Sequence, residues 1–431
     1  MERAVLAYSG GLDTSVTIRW LVEQGFEVHA VAVDVGQQED FGLIRRRGEL
    51  AGAASVRVID AVDRFAAEFL TPAIKANGLY EGKYPMVSGL ARPLIADEVI
   101  KAARELGAGV VAHGCTGKGN DQVRFEVSFG VLAPDLRVLA PIRDSGIARE
   151  KAIALAGEWG IPISTVATAY SIDENLWGRT AECGPLEDPW VAPPEDAFER
   201  TAAPRDRPQE QAEIVVAFER GVPVALDGAP TPLPDLIRAV DALGGGFGFG
   251  RVDMIENRRV GIKSRELYEV PGALALIAAH RALEDLTLER EVAHHKPGLE
   301  QRWADLVYDG LWFSPLRQAI DAYVDATQEH VTGEVRLGFA PGACTVVGRR
   351  SEHSLYDLSL ATYGSEDAFD QRHAEGFVKL WGLPLKVWSS KQGGLEQRSG
   401  SPEQSGLKQR SGSPEQSGLK QRSGSPEQGS S

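Results

Sequence analysis

Along the first third of the chain, apolar runs alternate with stretches of helical period, so strands and helices are predicted in turn. Residues 5–7 read as a short apolar strand, followed after a Gly-Gly turn by a helix with Val16, Trp20 and Leu21 on one side. Residues 28–35 are almost unbroken apolar sequence, as expected of a strand covered on both faces. Further strands are predicted at 56–60, 109–114 and 137–142, and helices at 65–76, 90–106 and 149–159. This alternation predicts an α/β fold with a doubly wound parallel sheet. Ligands of such sheets bind beyond the carboxyl ends of the strands, which puts the Gly10-Gly11 turn and the loop after Ala112 on one edge.

The pattern changes near residue 163. Pro and acidic residues crowd 187–209, which predicts a long surface loop. Residues 214–218 and 222–226 predict a hairpin, 233–243 a helix, 244–250 a glycine-rich turn, and 335–337 and 344–347 strands of a mixed α+β region running to about 388. From residue 394 a twelve-residue unit rich in Gly, Ser, Pro and Gln repeats, and it cannot bury a core.

Composition narrows the function. Lys plus Arg number 46 against 61 Asp plus Glu, a net charge of −15 that is unhelpful for holding a polyanion, so no nucleic-acid partner is expected. Cys115, Cys183 and Cys344 are widely spaced, which fits a reducing compartment and offers neither a disulfide framework nor a zinc site. No apolar run approaches the ~20 residues a bilayer span needs, and no membrane association is expected. The expectation is a soluble, cytoplasmic chain. His294-His295 lacks a carboxylate or cysteine at ligand spacing and reads as a solvated pair.

Two stretches carry the chemistry. The first, Tyr8-Ser9-Gly10-Gly11-Leu12-Asp13-Thr14-Ser15, turns from a strand into a helix. Its glycines allow a sharp turn and close approach of a ligand. Free N–H groups and the positive end of the helix dipole suit a phosphate, with the hydroxyls of Ser9, Thr14 and Ser15 beside them. Asp13 can cap the helix or help hold a magnesium ion. The spacing fits neither the Walker pattern nor the dinucleotide fingerprint. It resembles the pyrophosphate-binding loop of ATP pyrophosphatases, which split ATP between its α and β phosphates. The second stretch runs from His113 to Glu126. Thr116, Asn120 and Asp121 offer short polar groups suited to an amino acid's carboxylate and amine, and Arg124 a bidentate guanidinium for another carboxylate.

Together the two stretches resemble the argininosuccinate synthase family. The resemblance extends to Leu90-Ala91-Arg92-Pro93, to Ser171 through Leu176, and to Ile255 through Arg258 and Lys263 through Glu269, covering residues 3 to about 388. It implies ATP-dependent condensation of L-citrulline with L-aspartate through a citrullyl adenylate, with ATP and Mg2+ required. It further implies that Ala7, Tyr8, Ser9, Gly10, Gly11, Leu12, Asp13, Thr14, Ser15, Val33 and Gly114 face ATP. Thr116, Asn120 and Asp121 would hold aspartate, and Tyr84, Asn120, Arg124, Ser171, Thr180, Glu256 and Tyr268 citrulline. Protein ligands alone are not expected to hold a metal. Gly89 stands where many relatives have serine, Thr180 where serine is common and Val33 where alanine is common. The organisation implied is an ATP-binding domain at 1–163, a synthetase domain at 164–366, an oligomerisation arm at 367–390 in a homotetramer, and a disordered repeat tail at 391–431. Two alternatives remain at this level: a tRNA-modifying ATP pyrophosphatase, and a nucleotide-binding regulator without turnover. The residue that accepts the aspartate proton is equally open between Asp121 and the phosphates.

Overall fold

The apolar runs at the start of the chain become β1 (Glu2–Ala7), β2 (Phe26–Asp34), β3 (Ser55–Asp60), β4 (Val110–Ala112) and β5 (Arg137–Leu139) in the computed structural model, which describes residues 1–145, 149–162 and 170–392. They pair in parallel in the order β3-β2-β1-β4-β5. Successive side chains of β1 feed two different cores, as strand geometry requires. Val5 and Ala7 pack with Leu90 and Leu94 of the helix Val87–Leu106, whereas Leu6 and Tyr8 pack with Ile18 and Leu21 of α1 (Leu12–Glu23). The sheet is therefore covered on both faces. Strand order reverses between β1 and β4, and the crevice at such a reversal is where the loops after these two strands diverge.

The rest of the chain adds β6 (Ser171–Asn175), β7 (Gly178–Glu182), β8 (Ala212–Glu219), β9 (Val222–Leu226), β10 (Ala229–Pro230), β11 (Arg251–Asn257), β12 (Lys263–Glu269), β13 (Gly333–Ala340) and β14 (Ala343–Arg350). One antiparallel sheet runs β11-β12-β7-β6 and another β10-β9-β8-β13-β14. Helices Pro271–Thr287, Arg290–Tyr308 and Pro315–Thr327 bury apolar faces in a core that holds both Val5 of β1 and Phe339 of β13.

Met1–Asp357 is one compact unit, and the second begins at Leu358. In the second unit, helices His373–Trp381 and Leu383–Lys391 follow one another, the Phe377 and Trp381 rings stack at 5.8 Å, and Trp381 is 74% exposed. The expected boundary at 163/164 and the repeats beyond residue 392 lie outside the described residues.

Three elements differ from expectation for identifiable reasons. The fifth strand stops at Leu139 because Pro141 opens the helix Pro141–Ser145. The helix expected to stop at 243 continues as Leu233–Gly246, and its glycines allow close packing: a Cβ on Gly245 would lie 2.3 Å from the Arg200 carbonyl oxygen. The segment expected as a surface loop at 187–209 is pinned at its centre. Buried Glu269 accepts the backbone N–H groups of Glu199, Arg200 and Thr201 at 2.9 to 3.0 Å and pairs with Arg179 at 2.9 Å.

Candidate functional site at the head of the first helix

After β1 the chain turns at Gly10, whose φ is +76°. A Cβ there would lie 2.6 Å from the Ile44 side chain, so both conformation and contact call for glycine. The Arg47 guanidinium holds the turn from behind by donating to the Gly10 carbonyl at 3.2 Å. Gly11 is the N-cap of α1 and has no side chain with which to cap it, and Asp13 lies in the first turn. The Ser15 N–H to Gly11 carbonyl bond, 3.1 Å, begins the helical ladder, and helix geometry gives the first-turn amides no intrahelical carbonyl. Ser9 and Thr14 hydroxyls stand 3.1 Å apart beside these amides. Ser15 differs from the expected picture: it is buried, and its hydroxyl pairs with Tyr8 at 3.2 Å.

The second loop touches the first. β1 and β4 are neighbours with Leu6 opposite Ala112, and a Cβ on Gly114 would lie 3.0 Å from Thr14 Cγ2 and 3.1 Å from Thr17 Oγ1. The two expected ligand loops therefore open on the same edge. Val33, at the end of β2, flanks them, and its carbonyl accepts from the Gln37 side chain at 3.0 Å. Within the second loop, His113 Nδ1 accepts the Cys115 N–H at 3.2 Å and Nε2 faces Glu126 at 3.2 Å, which leaves Nε2 as the protonated nitrogen. Burial pushes the Cys115 thiol up, which suits a filler and not a nucleophile.

Helix Asp121–Leu132 starts directly under this loop and sets Asp121 and Arg124 one turn apart, joined at 2.8 Å. Arg92 of the helix Val87–Leu106 reaches the other oxygen of Asp121 and also Asp173 of β6, each at 2.8 Å. Burial alone would raise the Asp121 carboxyl, but the two guanidinium groups outweigh it and hold the pKa at about 2. Asp121 is thus a bound anion with both oxygens engaged.

Around Arg124 the chain builds an aromatic wall. Tyr84 stacks on Tyr268 at 3.9 Å between ring centres, Tyr80 stacks on Tyr308 at 3.5 Å, and Tyr84 meets Tyr308 edge-on at 6.5 Å. The Arg124 guanidinium lies 5.0 Å from the Tyr308 ring, and its Nε donates to the Tyr308 carbonyl at 3.1 Å. Gly310, at φ +77°, lets that segment come so near, since a Cβ would stand 2.9 Å from Arg124 Cα. Asn120 donates to the Tyr308 hydroxyl at 2.7 Å and accepts the Arg259 N–H at 2.8 Å. Tyr268 donates to Glu256 at 3.0 Å, and burial raises the Glu256 carboxyl while Arg124 opposes the rise. Antiparallel pairing sets Thr180 between Asp173 and Tyr268, and Ser171 opposite Glu182.

The expected residues come from eleven elements or loops, all within the compact unit Met1–Asp357. Sequence reasoning missed Tyr80 and Tyr308, for which no local pattern signals a role. It had Arg92 and Arg258 only as members of longer motifs, where a guanidinium among acidic residues was the available clue. Among the described residues, no cluster of three His, Cys, Asp or Glu side chains suits a metal, and no helix is long and apolar enough to cross a membrane.

Comparison with known proteins gives consistent matches. Residues 3–162 match the family described as arginosuccinate synthase N-terminal HUP domain, and residues 170–388 the arginosuccinate synthase C-terminal domain. An argininosuccinate synthase of Bacillus licheniformis is 55% identical over 392 residues, 91% of this chain and 97% of that one. Those of Bacillus subtilis and Geobacillus kaustophilus are 53% and 54% identical, each over 90% of this chain and 96% of their own. A solved 4-thiouridine synthetase–RNA complex with bound ATP aligns at 19% identity over 37% of this chain and 41% of that one, with a TM-score of 0.29, too loose a likeness to argue from.

Proposed function

The chain belongs to the argininosuccinate synthase family, and on that premise we propose how its own residues divide the ligation of citrulline to aspartate. The enzyme condenses the two amino acids with ATP and releases AMP and pyrophosphate. A ureido carbon is a poor electrophile until its oxygen carries a good leaving group. The α-phosphate of ATP supplies that group, and the aspartate amine then displaces AMP. Holding three substrates in line supplies on the order of 7–11 kcal/mol of the barrier.

In this reading, residues 7–15 with Val33 and Gly114 hold ATP, the open amides of α1 taking the phosphates. Thr116, Asn120 and Asp121 hold aspartate, and Tyr84, Asn120, Arg124, Ser171, Thr180, Glu256 and Tyr268 hold citrulline. The contact of Gly114 with Thr14 carries the assignment, because it lets one substrate span both loops. Asp121, held at about 2, is too weak a base to accept the amine's proton at neutral pH, so we assign it to binding and leave the proton to phosphate oxygens.

Mg2+ commonly takes one or two carboxylates, with phosphates and water completing its shell, and Asp13 in the first turn of α1 fits that single-carboxylate role. Bound there, the ion would neutralise developing pyrophosphate charge. We further propose a cytoplasmic homotetramer in which the exposed apolar residues Phe377, Leu380, Trp381 and Leu385 are covered by neighbouring subunits. The test is pyrophosphate release by the full chain with ATP, citrulline and aspartate, compared with Arg124→Ala. The variant should need far more citrulline at an unchanged ATP requirement; an equal loss for ATP would refute the division of residues.

A further inference from the structure

The turn between β11 and β12 makes a set of contacts that hairpin closure alone does not need. Its own closure is satisfied by backbone: the Arg258 N–H donates to Ile262 at 2.9 Å and the Gly261 N–H to Arg258 at 2.9 Å. The Arg258 side chain turns away from the hairpin tip. One Nη donates to the Lys118 carbonyl at 3.2 Å, in the loop that carries Thr116 and Asn120. The other Nη is shared by Glu182 of β7 and Glu266 of β12, and Nε lies 3.9 Å from Glu256. The next residue adds a second tie, the Arg259 N–H to Asn120 Oδ1 at 2.8 Å. Arg258 is mostly buried, with 11% of its side chain exposed, so these contacts are not screened as surface pairs are.

We infer that Arg258 is a positioning residue that ties the aspartate-holding loop to the citrulline-holding strand, so that the two amino-acid sites order together. The inference rests on the proposed roles of Asn120 and Glu256. A guanidinium suits the task because its planar fork places separate nitrogens towards the carbonyl on one side and the carboxylates on the other, a span that the single nitrogen of a lysine does not cover. Three carboxylates face this one cation. The excess negative charge draws the citrulline ammonium towards Glu256, and Arg258 keeps the remaining glutamates from moving into its place. None of its contacts reaches residues 7–15, so ATP should be indifferent to its loss.

Initial rates of the full chain, with each substrate varied in turn, test this in Arg258→Ala and Arg258→Lys. In Arg258→Ala the KM for aspartate and for citrulline should each rise about tenfold, the effect of losing one charge-assisted hydrogen bond, while the ATP KM stays within about twofold. Arg258→Lys restores the charge opposite the glutamates but not the fork. Its citrulline KM should fall back towards the parent value while its aspartate KM stays high. A merely structural role would move all three constants and the melting temperature together, in both variants, and that outcome overturns the inference. Unchanged amino-acid constants in both variants overturn it as well. Asn120→Ala and Glu256→Gln, assayed alongside, separate the levels. If they leave the aspartate and citrulline constants unmoved, the residue assignment itself fails; if they raise them and Arg258→Lys does not show the split, only the positioning role fails.

Discussion

Two buried ionic clusters in the unit Met1–Asp357 are built from similar parts and close differently. In the helical region, the Lys296 ammonium uses all three donors, to Glu300 at 2.6 Å, to Glu284 at 3.0 Å and to the Lys75 carbonyl at 2.8 Å. Asn77 donates to both glutamates at 2.6 and 2.7 Å, Gln328 donates to Glu284 at 2.7 Å, and the Arg281 guanidinium stands 3.6 Å from Glu300. Two cations meet two anions, with amides filling the remaining positions. At the site, Arg92 and Arg124 balance Asp121 and Asp173, but Glu182, Glu256 and Glu266 share Arg258. Burial and its two neighbouring glutamates push the Glu266 carboxyl well above the ordinary range, as three carboxylates sharing one cation should. A cluster that closes on itself holds a fold together. One that stays short of a cation fits the proposed seat of the citrulline ammonium.

The contrast breaks most visibly through Lys296→Met. Removing the ammonium leaves buried Glu284 without its lysine and Glu300 with only the half-exposed Arg281, so unfolding by denaturant should show a loss of about 3–5 kcal/mol. The folded fraction should keep its substrate constants; altered ones would mean that this cluster too is part of the site. Arg124→Ala comes next, with a citrulline KM raised about 10- to 100-fold for a lost charge-assisted contact and a stability loss smaller than that of Lys296→Met. An ordering the other way round would make Arg124 a structural residue.

A smaller effect belongs to acid. Unfolding lets Asp121 take up a proton near 3.8, which the folded chain refuses until about 2. Its contribution to stability is therefore complete above that ordinary value and lost as pH falls towards 2. Asp121→Asn should flatten the stability-against-pH curve in that window and nowhere near neutrality. The least effect is expected of Gly89→Ser. A Cβ there would meet Met86 at 3.5 Å and the Val307 carbonyl at 3.6 Å, ordinary contacts, so the serine should fit and change the citrulline KM by less than about threefold.

What could be read in the sequence was what is local. The parallel sheet followed from apolar runs, and the sharp turn proposed to hold phosphate from two glycines between a strand and a helix. Asp121 and Arg124 stood out as a carboxylate and a guanidinium in the glycine-containing loop after the fourth strand. The aromatic wall could not be read this way: Tyr308 ends the amphipathic helix Arg290–Tyr308 and looks like any core tyrosine until Gly310 brings it to Arg124. The loop at 187–209 misled because its proline and acidic content describes its rim, whereas its centre is gathered by one carboxylate, Glu269, from β12. Such distant partners leave no periodic trace.

The core that joins Val5 to Phe339 has a practical consequence for dissecting the enzyme. Leu90 and Leu94 share that cluster with Trp177, Leu276 and Trp303, so a fragment ending after the first sheet would present a raw apolar face to water. The two halves, expressed from separate genes, should be insoluble alone and regain activity only when made together. That would make the chain a candidate for split-reporter complementation, with reassembly read out as restored ligation.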